Sequence, residues 1–257
     1  MTAPVPRGPN LEELTLNAWP APQRILFDGW VLNFARGYTR RANSIWPLYP
    51  SSLPLGAKIE ACEAIYAARS QPVIFKLTSQ SVHAELDAEL ARRGYLAEAE
   101  TSVQTAALDG QPATDDAAVR LTTDLQDGWL DDFGRLSGTS AHVRPAMASL
   151  LATIAPDHVF ASLAAGHDQG AAGVGLAVAE RGSVGLFDIV VDAAVRNQGL
   201  GRRIVSALLD WGRTRGAERA YLAVVSDNQP ARHLYARLGF AEVYTYWYRR
   251  RTAPDGG

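Results

Sequence analysis

The residues whose spacing points most directly to chemistry are Arg196, Gly199 and Gly201, which form the pattern Arg-x-x-Gly-x-Gly. They follow an apolar run typical of a buried strand and open an amphipathic helical pattern. The first backbone N–H groups of a helix have no partner within it, and the helix dipole places partial positive charge there. Glycines let an anion approach the bare backbone, and Arg202 and Arg203 add charge nearby. The segment therefore predicts a cradle for a pyrophosphate.

This glycine loop matches neither of the two common nucleotide-binding patterns. No third glycine follows, as the dinucleotide fingerprint requires, and no Gly-Lys-Ser/Thr follows, as the P-loop requires. A tight turn that merely needs glycines is the alternative interpretation. A nucleotide-binding protein that uses the same loop for ATP or NAD is a third reading, which the strand and the spacing disfavour.

A second motif covers residues 226–240, where three polar residues follow an apolar strand pattern and ARHLYARLGF comes next. Together the two motifs resemble the GNAT (GCN5-related) N-acetyltransferase family. In that family a strand ends Val-x-Pro-x-x-Arg/Gln-x-x-Gly-x-Gly/Ala, and a later element reads Asn-x-x-Ala-x-x-Leu-Tyr-x-x-x-Gly-Phe. Ala193 stands where the family usually has proline. The resemblance covers residues 118–250.

The resemblance implies an enzyme that moves an acetyl group from acetyl-CoA to a primary amine by direct attack in a ternary complex. Backbone groups of residues 189–191 would pair with the pantetheine arm as an added strand does, and one of their N–H groups would polarise the thioester carbonyl. Asn228 would contact the same arm. The residues implied to bind acetyl-CoA are Ile189, Val190, Val191, Arg196, Asn197, Gln198, Gly199, Leu200, Gly201, Arg202 and Asn228.

Tyr235 is the residue that the resemblance assigns as the acid. It would protonate the leaving CoA thiolate, and a phenol suits this role because its ordinary pKa of about 10 lies above the roughly 8.5 of a thiol. An aromatic side chain that only anchors its helix is the alternative interpretation.

The group that accepts the amine proton is less defined. Many GNAT enzymes have Glu followed by Asp late in the central strand, whereas this chain has Phe187 followed by Asp188. Asp188 is predicted to orient the amine or to act as the base, and a structural carboxylate at the strand end is the alternative. The apolar residue at the glutamate position also motivates a second function class, a non-catalytic module that binds or senses acyl-CoA.

The elements that position these motifs lie in the second half of the chain. Residues 109–117 are polar, hold Gly and Pro, and predict a domain boundary. Beyond them the patterns predict a strand, two helices, three strands and then alternating helices and strands. The resemblance implies an α/β (α+β) fold, a mixed and mostly antiparallel sheet flanked by helices, with the catalytic domain over 118–257.

The first half of the chain repeats part of this pattern. LARRGY ending at Tyr95 resembles YARLGF ending at Phe240, and each lies between two apolar strands. If residues 1–110 are a second copy of the fold, Leu90 and His83 replace the acid and the asparagine, and no glycine loop is present. A unit of helix, glycine, aromatic residue and strand also arises by chance in α/β proteins, which is the alternative interpretation. The whole chain resembles tandem-GNAT proteins of bacteria, and this resemblance implies tandem copies. The degenerate first copy would complete the sheet or wall the acceptor pocket.

Arg40 and Arg41 are the most unusual residues of the first half, in the segment YTRRANS. Guanidinium groups pair bidentately with carboxylates, so these arginines are predicted to bind an anionic acceptor. Two solvated arginines in a hairpin are the alternative interpretation.

Bulk properties narrow the class of protein. The chain has 257 residues, 47% of them hydrophobic and 20% charged, which is typical of a globular protein. Its net charge of -2 provides no excess of basic residues, so nucleic acid is not expected as a partner. No apolar window approaches the roughly 20 residues of a membrane span, and no secretion signal is visible. The expected location is the cytoplasm, and no membrane partner is expected. The resemblance implies a small-molecule or peptide amine as the acceptor, and the oligomeric state is not readable from the sequence.

The single cysteine and the histidines predict neither a disulfide nor a metal site. Cys62 has no partner cysteine, which favours a reducing compartment, and it is expected to be a buried small hydrophobic residue rather than a nucleophile. The histidines of the second half lack the spacing of metal ligands, so no metal is predicted. They are His142, His158 and His167.

Overall fold

The computed structural model describes residues 10–109, 116–165 and 170–251 of the chain. The helices in these ranges are α1 (Leu11–Ala18), α2 (Leu55–Ala67), α3 (Leu86–Arg92), α4 (Asp127–Ser137), α5 (Arg144–Leu151), α6 (Leu200–Thr214) and α7 (Gln229–Arg237). The strands are β1 (Gln23–Phe27), β2 (Trp30–Phe34), β3 (Ile45–Pro47), β4 (Ile74–Thr78), β5 (Leu96–Ala107), β6 (Val119–Thr122), β7 (Asp157–Ala164), β8 (Ala171–Glu180), β9 (Ser183–Val191), β10 (Arg219–Val225) and β11 (Ala241–Arg250).

The chain forms two compact units that interleave along the sequence. Unit 1 comprises Met1–Pro20, Gln104–Ala223 and Pro230–Ala241. Unit 2 comprises Ala21–Val103, Val224–Gln229 and Glu242–Gly257. The boundaries of these units differ from the predicted domain ranges 1–110 and 118–257. Those ranges remain a prediction about the two copies of the fold.

The sheet of unit 1 has the strand order β10-β9-β8-β7-β6. Strands β6 to β9 pair antiparallel with their neighbours, and β9 pairs parallel with β10. Helix α6 crosses between the two parallel strands and packs closely on β8, because β8 has glycines where a side chain would clash. A Cβ atom on Gly173 would lie 2.7 Å from Cδ1 of Ile204 on α6. The predicted fold, a mostly antiparallel sheet flanked by helices, is confirmed.

Helix α1 also belongs to unit 1, although it lies at the other end of the sequence. The Asn10 side chain caps it by accepting the Glu12 N–H at 3.0 Å. The Asn17 side chain donates to Glu180 at 3.0 Å, and Arg181 pairs with Glu13 at 2.8 Å, so α1 is fixed to the turn between β8 and β9. Helix α1 and strand β1 have short apolar patterns, and contacts with residues distant in sequence stabilise α1.

The sheet of unit 2 has the order β1-β2-β3-β4-β11-β5. Strands β3 and β4 are parallel, with α2 between them in sequence, as α6 lies between β9 and β10. One face carries an apolar core that includes Trp30, Tyr66, Phe75 and Cys62. Burial raises the pKa of the Cys62 thiol to about 12, so the expected inert, buried cysteine is confirmed.

The predicted repeat has a structural counterpart at the ends of α3 and α7. Gly94 and Gly239 both have φ of 83°, a left-handed conformation that glycine adopts without strain. The Tyr95 N–H donates to the Leu90 carbonyl at 3.0 Å, and the Phe240 N–H donates to the Tyr235 carbonyl at the same distance. Helices α3 and α7 therefore end in the same way and each is followed by a strand, which agrees with the predicted tandem copies.

Candidate active site

The site begins where β9 separates from β10. The parallel pairing runs from Ser183 and Arg219 to Leu186 and Leu222. Phe187 is the last buried residue of β9, and residues 188–191 are half-buried. The backbone of Ile189–Val191, predicted to bind the pantetheine arm, thus lies beyond the paired part of the strand. An extended ligand could add to such a strand edge through main-chain hydrogen bonds.

A β-bulge at Asp188 marks the start of this segment. The register between β8 and β9 shifts between Val174 and Leu176, and Asp188 has a left-handed φ of 51°. Before the bulge, the Phe187 ring lies on the same face as Gly185 and against Tyr221. After it, Ile189 contacts the face covered by α6. The bulge therefore changes which residues of β9 point to each face of the sheet. A non-glycine residue with a left-handed φ, such as Asp188, is also strained.

The loop after β9 presents backbone amides to solvent. Asp192 accepts the Ala194 N–H at 2.9 Å and fixes a 3-10 turn over Ala193–Val195, in which Ala193 replaces the usual proline of the motif. Asn197 and Gly199 then adopt left-handed φ values of 63° and 79°. Residues 196–199 are exposed. The loop can therefore offer its N–H groups to an anion at the beginning of α6.

Gly199 and Gly201 are glycines for different reasons. A Cβ atom on Gly199 would meet nothing within 4 Å, so the space beside it is open to a ligand. A Cβ atom on Gly201 would lie 3.2 Å from Cδ2 of Leu234 and 3.7 Å from Cγ2 of Val191. The structure thus brings the predicted loop, the end of β9 and α7 into one place.

Tyr235 follows Leu234 on α7 and lies in the same compact unit as the loop. Its side chain is 8% exposed, and burial raises the pKa of the phenol to about 12. The ring also packs edge-on against Phe240, with ring centroids 5.9 Å apart. Tyr235 therefore keeps its proton at neutral pH, as an acid must, and it also anchors the end of its helix.

Phe187 occupies the position where many GNAT enzymes have glutamate. Its ring stacks on Trp19 with centroids 6.2 Å apart and meets the edge of Tyr221 at 6.0 Å. All three side chains are buried. The position is thus part of an apolar cluster. Local sequence patterns could not predict this contact, because Trp19 directly follows α1, far from Phe187 in the chain.

The family model described as "Probable histone acetyltransferase Rv0428c C-terminal" matches residues 9–249. The chain belongs to this family. It is similar to "Uncharacterized N-acetyltransferase YobR" of Bacillus subtilis, with 28% identity over 93% of this chain and 96% of that protein. These findings confirm the predicted GNAT-type N-acetyltransferase.

Two solved structures show that the acetyltransferase has the same fold as other GNAT proteins. A GCN5-related N-acetyltransferase from Kribbella flavida has a TM-score of 0.70 at 12% identity, covering 95% of both chains. A tandem GNAT protein from the clavulanic acid biosynthesis pathway has a TM-score of 0.62 at 16% identity, covering 97% of this chain and 92% of that one. The second similarity agrees with the repeat seen within this acetyltransferase.

The structure also describes the surroundings of Arg203 and Asn228. Arg203 was expected to add charge to the pyrophosphate cradle, but Asp116 binds its guanidinium through two contacts of 2.5 and 2.8 Å. The expectation is wrong because the Asp116 carboxylate neutralises this charge. Asn228 lies in the turn after β10, in unit 2, where its backbone N–H donates to the Val225 carbonyl at 2.9 Å. Its predicted contact with the pantetheine arm stays a prediction.

Arg40 and Arg41 lie in unit 2, in a loop that Asn43 organises. The Asn43 side chain accepts the Ala35 N–H at 2.8 Å and donates to the Tyr38 carbonyl at 2.6 Å. Arg40 pairs with Glu98 at 3.0 Å and lies over the Tyr248 ring at 5.5 Å. Arg40 is therefore oriented by protein contacts rather than only solvated, although its side chain remains 45% exposed.

The turn before α2 in unit 2 corresponds in position to the glycine loop before α6 in unit 1. Each precedes a helix that connects two parallel strands. Its amides are already occupied, because the Asp28 carboxylate accepts the N–H groups of Ser52 and Leu53, both at 3.0 Å. The buried Lys58 ammonium group contacts the same carboxylate at 3.2 Å. A carboxylate of the chain itself thus sits where the other unit has an open loop.

In the part of the chain that the structure describes, no group of three or more His, Cys, Asp or Glu side chains could hold a metal ion. None of the helices in this part of the chain is long and apolar enough to cross a membrane. His167 lies outside the described residues.

Proposed function

We propose that this acetyltransferase uses acetyl-CoA to acetylate a primary amine by direct attack, at a site in unit 1 formed by residues 188–191, the loop 196–201 and Tyr235. The observation that carries the proposal is the loop itself. It combines two left-handed residues, open space beside Gly199 and the free amides at the start of a 15-residue helix. These features suit a pyrophosphate better than a small neutral ligand.

The bound acetyl-CoA would supply the activated acetyl group, and the chain would hold it at two places. The amides of residues 197–201 bind the pyrophosphate, and the exposed Arg196 and Arg202 add charge at the rim. The backbone of Ile189–Val191 pairs with the pantetheine amides. One N–H group of this segment stabilises the negative charge that develops on the thioester oxygen during attack.

Protons move at two positions. The amine nitrogen forms its bond to the carbonyl carbon and loses a proton to Asp188, directly or through water. As the carbon–sulfur bond breaks, Tyr235 Oη gives its proton to the departing sulfur, and the phenolate regains one from solvent. Burial destabilises any anion beside Tyr235, so a thiolate leaving there is a stronger base than it is in water. The products are the amide and free CoA.

An assay of thiol release tests this proposal. The protein is mixed with acetyl-CoA and a panel of alkylamines, amino sugars and peptides, and free CoA is measured with a thiol reagent. The buried Cys62 is the only cysteine and reacts poorly, so the signal reports CoA. We expect thiol release that depends on the amine, with the acetylated amine found by mass spectrometry.

The second candidate, a module that binds acyl-CoA without turnover, is motivated by the apolar cluster around Phe187. Calorimetry with acetyl-CoA distinguishes the two functions. Tight binding with no release of CoA for any amine would favour the binding module over the enzyme. Absence of both binding and turnover would contradict both.

We further propose that Arg40 and Arg41 bind an anionic group of the acceptor. The support is the ordered loop and the exposed part of Arg40. Once an acceptor is known, Arg40→Gln and Arg41→Gln should raise KM for acceptors that carry a carboxylate and leave KM for neutral analogues unchanged. An equal effect on both kinds of acceptor would contradict this role.

A further inference from the structure

The ring pair of Trp19 and Phe187 links the first helix of the chain to the strand that carries the site. Trp19 is 2% exposed, and its ring is nearly parallel to that of Phe187, with an angle of 23° between the planes. Gly185 makes room for the cluster, since a Cβ atom there would lie 2.7 Å from Cε2 of Phe187 and 2.4 Å from Cζ of Tyr221. Phe187 is therefore held on one side by Trp19 and on another by Tyr221.

Phe187 directly precedes the bulge, so its position affects the backbone of Asp188. A non-glycine residue with φ of 51° persists only where its surroundings hold it. On the far side of the bulge, Ile189 and Val191 are fixed against the glycines of β8, with Ile189 Cδ1 at 3.0 Å from the position of a Cβ on Gly175. On the near side, the rings of Trp19 and Tyr221 hold Phe187 and thereby the backbone before the bulge.

Trp19 itself is held by α1, which is joined to the turn between β8 and β9 through Asn17 and Glu13. The helix therefore touches β9 and its hairpin at two separate places. One is the polar pair of contacts at the turn, and the other is the ring stack next to the bulge. This arrangement allows the two contacts to be removed separately.

We propose that Trp19 is a positioning residue for acetyl transfer, which acts through Phe187 to hold Asp188 and the backbone of Ile189–Val191 in their working conformation. The proposal rests on the proposed function of that segment. It assigns to α1, at the opposite end of the sequence, a part in the site. Trp19 does not touch the reacting atoms.

Hydrogen exchange of β9 tests the physical part of this proposal without any acceptor. In Trp19→Leu, which keeps an apolar side chain but removes the stack, the amides of residues 187–191 should exchange about tenfold faster, whereas those of α6 should change less than about twofold. Trp19→Phe, which retains a ring, should restore most of the protection. Asn17→Ala is the matched control, because it loosens the other contact of α1 and should leave exchange at residues 187–191 unchanged.

Turnover with an accepted amine tests the functional part. Trp19→Leu should lower kcat about tenfold with KM for acetyl-CoA within about twofold, since the glycine loop is untouched. Trp19→Phe should recover most of kcat, and Asn17→Ala should retain it. The losses in Trp19→Leu and Phe187→Leu should not add in the double variant, because both act through one contact.

The results separate failure of this proposal from failure of the proposed function. If wild-type protein releases no CoA, the proposed function is wrong, and exchange at β9 still decides whether Trp19 holds the bulge. Unchanged exchange at residues 187–191 in Trp19→Leu would overturn the proposal. A loss of activity in Trp19→Leu that matches its loss of folded protein, and that is equally large in Asn17→Ala, would also overturn the proposal. If Trp19→Leu does not fold, the same two measurements on Phe187→Leu decide.

Discussion

Gly201 lies so close to Leu234 that a methyl group on its Cα would be 3.2 Å from the Leu234 Cδ2 atom. This contact joins the beginning of α6 to α7, and with them the glycine loop to the helix that carries Tyr235. Few real Cβ contacts are this short, so Leu234 must give way if the glycine is replaced. The distance between the proposed phosphate-binding loop and the proposed acid Tyr235 therefore depends on Gly201. The backbone conformation of Gly201 does not itself require a glycine.

Gly201→Ala should raise KM for acetyl-CoA roughly fivefold, which corresponds to about 1 kcal/mol of overpacking between the loop and α7. Steady-state kinetics with varied acetyl-CoA measures this change. Leu234→Val in the same chain should reverse most of it by making space. Gly128→Ala is the control, because Gly128 is also the second residue of a helix and a Cβ atom there would meet nothing within 4 Å. Equal KM values for the Gly201 and Gly128 variants would contradict the account.

Tyr235→Phe should lower kcat about a hundredfold and leave the calorimetric affinity for acetyl-CoA nearly unchanged, because it removes only the proton donor. The packing against Phe240 is retained in this variant, so the melting temperature should shift little. Wild-type kcat in the variant would mean that Tyr235 is an anchor for its helix and that another group protonates the thiolate.

Phe187→Glu should not increase turnover, although it restores the residue type found in many GNAT enzymes. The new carboxylate would lie among buried rings and lose the stack with Trp19, at a cost of about 3 kcal/mol or more. Thermal denaturation should show a clear loss of stability, and Phe187→Leu should lose less. A Phe187→Glu protein as stable as wild type and with higher kcat would show that the position faces the acceptor after all.

The elements of the candidate site could be predicted from the sequence because each of them is local. The strand ending at Val191, the loop 196–201 and the helix ending before Gly239 are each set by residues within about 20 positions, so apolar period and glycine placement predict them. Arg203 illustrates the limit of such reasoning. Its neighbours in sequence suggest an anion site, whereas the carboxylate that binds it belongs to Asp116.

Contacts between distant segments account for what could not be predicted. Helix α1 has only 8 residues, too few to be stable alone, and it folds because Leu14, Leu16 and Trp19 are buried in unit 1. No local pattern reveals that Trp19 stacks on Phe187. The pairing of β11 with β4 inside unit 2 likewise depends on which strand edge is available, which sequence periodicity does not specify.

The stability of unit 2 should depend on acid pH through Asp28. Hydrogen bonds from the Leu53 and Ser52 amides lower the pKa of this carboxyl group below the usual value of about 3.9. Its stabilising effect is therefore present above about pH 4 and is lost as pH falls through the folded-state pKa. In urea denaturation, Asp28→Asn should be less stable than wild type at pH 7, and the difference should shrink below pH 4.

Asp157→Asn provides the control for this measurement, since the Asp157 side chain is 66% exposed and lies 3.7 Å from Arg215. It should differ little from wild type at any pH. A stability difference for Asp28→Asn that stays constant between pH 7 and pH 3 would mean that the charge of Asp28 does not contribute to binding the turn before α2.

Calorimetric titration of acetyl-CoA into Gly199→Asp and Gly182→Asp is the most direct test of the glycine loop as the acetyl-CoA site. Both glycines have left-handed φ values, 79° and 69°, and neither would place a Cβ within 4 Å of another atom, so the two substitutions impose similar backbone strain. Only the first puts a carboxylate beside the proposed pyrophosphate. Gly199→Asp should weaken binding about a hundredfold or more, while Gly182→Asp binds like wild type. Wild-type affinity in Gly199→Asp would contradict the assignment of the loop.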